Sequence, residues 1–141
     1  MQEADNDSHD IAALLLYTAA GEVVLQRRDM QAPTSPGKLC LFGGHIKQGE
    51  SPEVAVRREI GEEIAAKVEP KFLTRFENYI EPDGANVRMN FTVFTAELHE
   101  HHFAVYEGKG AEWIPYTKVS NYPDIITGTR DAIDLFLKEK Q

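Results

Sequence analysis

Two apolar stretches joined by a short turn dominate the first part of the chain. Residues 11–17 (IAALLLY) are almost entirely apolar, and the segment 22–28 (EVVLQRR) follows directly after Ala20-Gly21. Apolar runs of this length that flank a glycine are typical of paired strands. The pattern therefore predicts a β-hairpin at 11–28. The preceding residues 1–9 are polar, and we expect them to form a flexible tail.

A helix signal begins at Ser51. Serine is a favourable helix cap, Pro52 suits the first helical position, and Gly61 is the one glycine or proline in the stretch 53–67. Val56, Ile60 and Ile64 recur at a spacing of four residues, which places them on one face that can be buried. We therefore predict a helix at about 52–66.

The remaining pattern alternates further strands with one more helix. The segments 68–80 and 86–98 are rich in aromatic and β-branched residues, and the sequence EPDG at 81–84 separates them as a turn would, so we expect an antiparallel pair. We also predict an exposed loop at 29–38, a short strand at 112–114 and a terminal helix at 130–138. This mixed order predicts an α/β sandwich.

Length and charge restrict the range of functions. A chain of 141 residues fits one domain. Asp and Glu outnumber Lys and Arg by 23 to 15, and the resulting net charge of −8 argues against a nucleic-acid polymer as partner. The lone Cys40 cannot form an internal disulfide, and the polar start resembles no signal peptide. We expect a cytoplasmic protein without a membrane partner.

The predicted helix carries a cluster of carboxylates. Glu59, Glu62 and Glu63 are spaced so that they share one helix face. Like charges this close cost a few tenths of a kcal/mol per pair on an exposed helix, and a hard divalent cation would offset that cost. The alternative is a solvated acidic face. The glycines at 43–44 and the adjacent Arg58 favour a metal site, because glycine permits close backbone approach and arginine can hold carboxylates.

These residues resemble the signature of the Nudix hydrolase family. The family motif is Gly-x5-Glu-x7-Arg-Glu-U-x-Glu-Glu-x-Gly-U, where U is a bulky aliphatic residue, and this chain matches every charged position at the required spacing. The matching residues are Gly44, Glu50, Arg58, Glu59, Glu62 and Glu63. The chain departs from the motif at Ala65 and Ala66, and at Phe42, where the family often has proline. A match of this extent is highly specific.

The resemblance implies a Nudix-type α/β/α sandwich, with a mixed β-sheet between helices, over residues 10–141. It implies Mg²⁺-dependent hydrolysis of a pyrophosphate bond in a nucleoside diphosphate linked to another group, with Mn²⁺ as a substitute and no organic cofactor. Glu59, Glu62, Glu63 and the Gly44 backbone are the implied metal ligands. Arg58 and Glu50 are implied supports, and Phe42 and Gly43 are candidate substrate contacts.

A second resemblance lies downstream of the helix. Glu107-Gly108 followed by Glu112-Trp113 looks like an arrangement in the nucleoside-triphosphate-cleaving branch of the family. Together with Glu62 and Glu63, Glu107 thus joins the candidate catalytic residues, and either Glu63 or Glu107 is the general base. An exposed loop carboxylate is the alternative reading of Glu107, and Glu97, Glu100 and Glu112 are its competitors.

The substrate markers favour a nucleoside triphosphate, which would give a monophosphate and pyrophosphate. Pro82 points weakly to ADP-ribose or a nucleotide sugar, although turn chemistry also explains it. A non-hydrolytic nucleotide sensor is a further alternative, but it should have lost the carboxylates of the motif. His99, His101 and His102 are interpreted as a solvated loop, and Trp113 as a core residue rather than a base-stacking one.

Overall fold

The computed structural model describes residues 8–32, 35–64, 67–80, 87–99 and 110–140, and this part of the chain forms strands and helices in mixed order. The strands are β1 (Ser8–Thr18), β2 (Glu22–Arg27), β3 (Leu39–Cys40), β4 (Phe42–His45), β5 (Lys71–Ile80), β6 (Val87–Glu97) and β7 (Ala111–Pro115). The helices are α1 (Pro52–Glu63), a 3-10 helix (Tyr116–Asn121) and α2 (Thr127–Glu139). None of these helices is long and apolar enough to cross a membrane.

Strand β1 lies at the centre of a mixed sheet. It runs parallel to β6 along its length, from Ser8 opposite Arg88 to Tyr17 opposite Glu97. Its other edge pairs antiparallel with β4 and then with β2. The sheet order is β3-β2-β1-β6-β5, and β7 adds to the second edge of β2. This position explains why residues 11–17 are apolar without alternation, because a central strand is covered on both faces.

The two faces of β1 pack against different helices. Ala12, Leu14 and Leu16 belong to the core cluster that contains Val56 of α1. Leu15 belongs to the cluster that contains Ile133 of α2. Alternate side chains of a strand point to opposite faces, so the sheet separates the two helices. The predicted α/β/α sandwich with a mixed sheet is confirmed.

The predicted hairpin is confirmed as β1 and β2. Gly21 has φ 87°, a left-handed conformation that favours glycine, and its N–H donates to the Thr18 carbonyl at 3.1 Å. Strand β1 begins at Ser8, within the expected tail of 1–9, because Ser8 and His9 continue the pairing with β6. Residues 1–7 lie outside the described part of the chain.

Helix α1 begins where its signal predicted and ends earlier. The Ser51 hydroxyl accepts a hydrogen bond from the Val54 N–H at 3.2 Å, and Pro52 is the first helical residue. The helix was expected to reach 66, but Ile64 is already extended, with φ −133° and ψ 150°. Its side chain is 3% exposed in the core on the α1 side, and burial there outweighs the high helix propensity of the alanines that follow in the sequence.

Strands β5 and β6 form the expected antiparallel pair, and their connecting turn at 81–84 lies outside the described residues. The predicted strand at 112–114 is part of β7, and the terminal helix α2 begins at Thr127 rather than at 130. The short strands β3 and β4 were not predicted. They pair with β2 and β1, and four residues or fewer are too short to show a strand period of their own.

Candidate active site

A wide cleft of about 1450 Å³ collects most of the candidate residues. Parts of β4, α1, β5, β6 and the N-terminal half of α2 line it. Its lining includes Phe42, Gly43, Gly44, Arg58, Glu59, Glu62 and Glu63. The candidate residues of β4 and those of α1 therefore lie at one surface. Glu107 lies outside the described residues, so its position relative to the cleft stays a prediction.

Gly44 provides the surface on which Glu59 rests. A Cβ atom at Gly44 would lie 2.6 Å from Glu59 Oε2 and 2.7 Å from its Cδ. Such a contact is closer than atoms tolerate, so the carboxylate occupies the space that a side chain at 44 would need. Glu59 is only 9% exposed. Glycine at this position thus allows a buried carboxylate to lie directly on the strand backbone.

Gly43 fixes the second buried carboxylate. The Gly43 N–H donates to Glu63 Oε1 at 3.0 Å, and Glu63 is 3% exposed. Gly43 has φ 137°, and a Cβ there would lie 2.1 Å from the Ala12 carbonyl oxygen of β1. The glycine is therefore required by close strand packing as well as by backbone conformation. Burying an anion needs such compensation, since desolvation otherwise costs several kcal/mol.

Arg58 connects the carboxylates of the site. Its Nε and Nη2 donate to the two oxygens of Glu50 at 2.6 and 2.9 Å, a fork-like bidentate pair. Its Nη1 donates to Glu59 Oε2 at 2.8 Å and to Glu62 Oε1 at 3.1 Å. Nη2 also donates to the His45 carbonyl at 3.0 Å. One guanidinium thus joins three glutamates and the end of β4.

The network changes the ionisation of its members. Hydrogen bonds from Arg58 and from the Lys47 N–H lower the pKa of Glu50 from its ordinary value of 4.5 to about 2. The same pair with Glu50 raises the pKa of the Arg58 guanidinium above its ordinary value. Glu50 and Arg58 are consequently a permanent ion pair at neutral pH, and the supporting role of both at the site stays a prediction.

The metal-binding prediction can be compared with the donor arrangement. Among the described residues, no three Asp, Glu, His or Cys side chains converge as a ready metal cluster. Glu62 is about half exposed at its side chain, and Arg58 Nη1 lies between it and Glu59. The chemistry of the set nevertheless fits a hard divalent cation. It offers three carboxylates, two of them on buried side chains, and one of those two lies directly against Gly44.

Four other residues considered from the sequence contact the core or form polar contacts. Phe42 is 2% exposed and packs in the core on the α1 side as well as lining the cleft, and its role as a substrate contact stays a prediction. Trp113 packs against the same core, as the sequence indicated. Glu112 accepts hydrogen bonds from Arg27 and from the Tyr122 hydroxyl, and it is absent from the lining of the cleft. The Glu97 carboxylate lies 3.7 Å from His99 Nδ1.

Some candidate positions fall outside the described residues. They are Ala65, Ala66, Pro82, Glu100, His101, His102 and Glu107. The expectations attached to them stay predictions.

Sequence reasoning missed a further part of the cleft wall. Arg28 and Lys38 belong to this part of the wall, and so does the segment from Asp124 to Thr129, which includes the start of α2. Phe76 and Phe91 stack with ring centroids 5.1 Å apart and line the same cleft. No local signal marked these residues, because each lies in an ordinary strand or loop pattern. Only the packing of β5, β6 and α2 around the cleft brings them together.

Comparisons with known proteins agree with this fold. A family model of the NUDIX domain matches residues 7–136. The chain belongs to the Nudix family and is a Nudix hydrolase. A comparison with curated proteins gives no match.

Three similar solved structures illustrate the fold. The MutT protein from Methanosarcina mazei Go1 has a TM-score of 0.83 at 22% identity, over 95% of this chain and 96% of that one. The NUDIX domain of Shewanella oneidensis NrtR, complexed with ADP ribose, has 0.77 at 19%, over 99% and 94%. The E. coli dihydroneopterin triphosphate pyrophosphohydrolase has 0.75 at 17%, over 92% and 95%. At these identities the likeness establishes the fold.

Proposed function

We propose that this Nudix hydrolase is a divalent-metal-dependent pyrophosphohydrolase acting on a nucleoside diphosphate linked to another group. The observation that carries the proposal is the burial of Glu59 and Glu63 against the glycine backbone of β4. Buried carboxylates weaken a fold unless something compensates their charge, so their presence beside an open cleft favours a functional reason.

Mg²⁺ is the cation that this donor set suits, with Mn²⁺ as a substitute. Glu59, Glu62, Glu63 and the backbone of Gly44 are the residues proposed to hold it. When bound, the metal would lower the pKa of a water molecule and neutralise negative charge on the phosphate chain. The protein contributes the direction of the Glu63 carboxylate, because the Gly43 N–H holds its Oε1 by a hydrogen bond.

Proton transfer requires a carboxylate near the attacking water. Glu63 is one candidate, and the Gly43 N–H holds its Oε1 in a defined direction. Glu107 is the other candidate. In either case the carboxylate would accept a proton from the water as the water oxygen attacks phosphorus. The bond between that phosphorus and the bridging oxygen would break, and the leaving group would keep the bridging oxygen and the electron pair of this bond. A variant at each position tests which of the two acts as the base.

A nucleoside triphosphate is the favoured substrate, with a monophosphate and pyrophosphate as products. The chain as a whole carries a net charge of −8, but Arg28, Lys38, Lys47 and Arg58 all line the cleft. Six carboxylates line the cleft as well, three of them the proposed metal ligands, so bound Mg²⁺ together with these cations would hold a polyphosphate anion. One structural neighbour is named a pyrophosphohydrolase of dihydroneopterin triphosphate, which agrees with a triphosphate.

ADP-ribose or a nucleotide sugar is the second candidate, and it is favoured by the neighbour whose structure contains ADP ribose. A non-hydrolytic sensor is less consistent with the site, since all the motif carboxylates are retained. We propose small-molecule substrates in place of a nucleic-acid polymer. A cytoplasmic setting is proposed from the lone Cys40, which suits a reducing compartment.

The decisive experiment is a screen of nucleoside triphosphates, ADP-ribose and nucleotide sugars with Mg²⁺, followed by chromatographic identification of the products. We expect monophosphate and pyrophosphate from at least one triphosphate. If ADP-ribose or a nucleotide sugar alone were cleaved, to a monophosphate and a sugar phosphate, the triphosphate proposal would be replaced by the second candidate. No Mg²⁺-dependent cleavage of any compound would favour the sensor.

Matched glutamine variants test the carboxylates. Glu62→Gln and Glu63→Gln should each lower kcat/KM by roughly a hundredfold or more, because a hard anionic ligand or base is lost. Glu53→Gln is the control, since Glu53 lies on the same helix but pairs with the exposed Arg57. Equal activity of Glu63→Gln and Glu53→Gln at saturating Mg²⁺ would exclude the proposed role of Glu63.

A further inference from the structure

The Nη1 group of Arg58 occupies the place between the carboxylates that are proposed to bind metal. It donates to Glu59 Oε2 at 2.8 Å and to Glu62 Oε1 at 3.1 Å. A positive charge at this distance satisfies both anions without a metal ion.

The other side of the same guanidinium is held by Glu50. Nε and Nη2 form the bidentate pair with Glu50, and Nη2 also donates to the His45 carbonyl. The guanidinium is rigid and planar, so Nη1 cannot swing away while the other two nitrogens keep these partners. Glu59 and Glu62 have flexible side chains, and the half-exposed Glu62 is free to turn toward solvent. The carboxylates are therefore the parts that can move.

We propose that Arg58 Nη1 is the counter-cation of Glu59 and Glu62 in the metal-free chain, and that a divalent cation displaces it from these carboxylates. Arg58 stays on Glu50, and the carboxylates exchange one cation for another. Glu50 then influences the metal affinity without binding the metal itself. Its ion pair with Arg58 restrains the guanidinium, which competes with the metal for Glu59 and Glu62. This inference rests on the metal dependence in the proposed function.

The proposal gives the two partners of the ion pair opposite effects. Removing Arg58 removes the competing cation and leaves the carboxylates with more uncompensated charge, so metal binding should tighten. Removing the charge of Glu50 frees the guanidinium to follow Glu59 and Glu62, so metal binding should weaken. If Arg58 only braced the carboxylates in a binding geometry, its removal would weaken binding instead. The sign of the Arg58 effect distinguishes the two roles.

The test is a titration of the whole metal-free chain with Mn²⁺. The concentration of free Mn²⁺ is measured at each step by electron paramagnetic resonance. We expect Arg58→Met to lower the Kd for Mn²⁺ roughly three- to tenfold and Glu50→Gln to raise it by about threefold or more. Arg57→Met is the matched control. It removes the same charge from the neighbouring position, but Arg57 pairs with Glu53 and Glu69. Its Kd should stay within about twofold of the wild type.

Each outcome has a distinct meaning. Weaker Mn²⁺ binding by folded Arg58→Met, or binding equal to that of Arg57→Met, would overturn the inference while leaving metal dependence intact. The absence of saturable Mn²⁺ binding by the wild type would overturn the metal-dependent function and the inference together. Circular dichroism of every variant shows whether it is folded before the titrations are compared.

A measurement on the wild type keeps the inference testable if Arg58→Met does not fold. Arginine side-chain ¹H–¹⁵N spectra are recorded during a titration with Mg²⁺, with the Arg57→Met spectrum used to separate the two neighbouring arginines. The Arg58 Nε–H signal should persist, because its hydrogen bond to Glu50 is kept, while the Nη1 signals should shift as Glu59 and Glu62 leave. Nη1 signals unchanged at saturating Mg²⁺ would overturn the displacement.

Discussion

The two α-helices cover opposite faces of one sheet, and they differ in what they bury. Helix α2 turns Thr129, Ala132, Ile133 and Phe136 inward, while its Asp131 and Asp134 are exposed. Helix α1 buries Ala55 and Val56 together with Glu59 and Glu63. An apolar interface stabilises a fold, whereas buried carboxylates at best offset their own desolvation. The comparison indicates that α2 packs on the sheet mainly through apolar side chains, whereas α1 combines packing with the carboxylates of the proposed site.

The largest effect is expected under α1, where β4 meets β1. In Gly43→Ala the new Cβ would collide with the Ala12 backbone at 2.1 Å in a conformation that alanine rarely adopts. Because backbone atoms cannot move aside as a flexible side chain can, we expect a loss of about 4 kcal/mol or more in the free energy of unfolding. Urea unfolding measures this loss. Gly61→Ala is the control, since nothing lies within 4 Å of its Cβ, and a small gain in stability is expected there.

The α2 side should lose stability without a specific loss of chemistry. Phe136 is 5% exposed and packs near Tyr17 and Tyr116. Phe136→Ala should cost about 3 kcal/mol in urea unfolding, since it leaves a cavity. Its kcat/KM per folded molecule should stay within a few-fold of the wild type. Phe72→Ala, at an exposed position, controls for the loss of an aromatic ring. If Phe136→Ala lost much more activity than its unfolded fraction accounts for, the α2 side would also contribute to activity, and the contrast between the two faces would be wrong.

Gly44→Ala should show the opposite pattern to Phe136→Ala. The new Cβ would meet only the carboxylate end of Glu59, which is a flexible side chain that can move away. The unfolding free energy should therefore change by less than about 1 kcal/mol, while kcat/KM falls by roughly ten- to a hundredfold. Activity measured beside urea unfolding separates these quantities. Full activity in a folded Gly44→Ala protein would show that the position of Glu59 on the strand is not needed.

The smallest effect concerns the pH dependence of the Glu50–Arg58 pair. The pKa of Glu50 is lowered in the folded chain to about 2, so its stabilising contribution is fully present above the ordinary value of 4.5. It is lost as the pH falls from that value toward 2, because the carboxylate is then protonated. The difference in melting temperature between wild type and Glu50→Gln should thus shrink over this range. A difference independent of pH would show that the ion pair does not stabilise the fold.

The sequence predicted best those features that depend on residues close together in the chain. Ser51 and Pro52 marked the start of α1 correctly because capping involves residues three positions apart. The motif also identified Arg58 and the three glutamates that share the cleft. The end of α1 was predicted three residues too late, since the extended backbone at Ile64 depends on packing in the core. Phe42 was a candidate substrate contact, and its burial became evident only once β4 was placed beneath α1.

The sequence by itself determined the hairpin, the paired strands β5 and β6, the start of α1 and the identity of the acidic residues, because periodicity, turn chemistry and motif spacing act over a few neighbouring positions. Tertiary structure decided that β1 pairs in parallel with β6 and that β4 lies against β1. It also decided that Glu59 and Glu63 are buried on two glycines while Glu62 stays half exposed. These outcomes depend on contacts between residues far apart in the chain, and no local pattern encodes the distance between a strand backbone and a carboxylate on a helix.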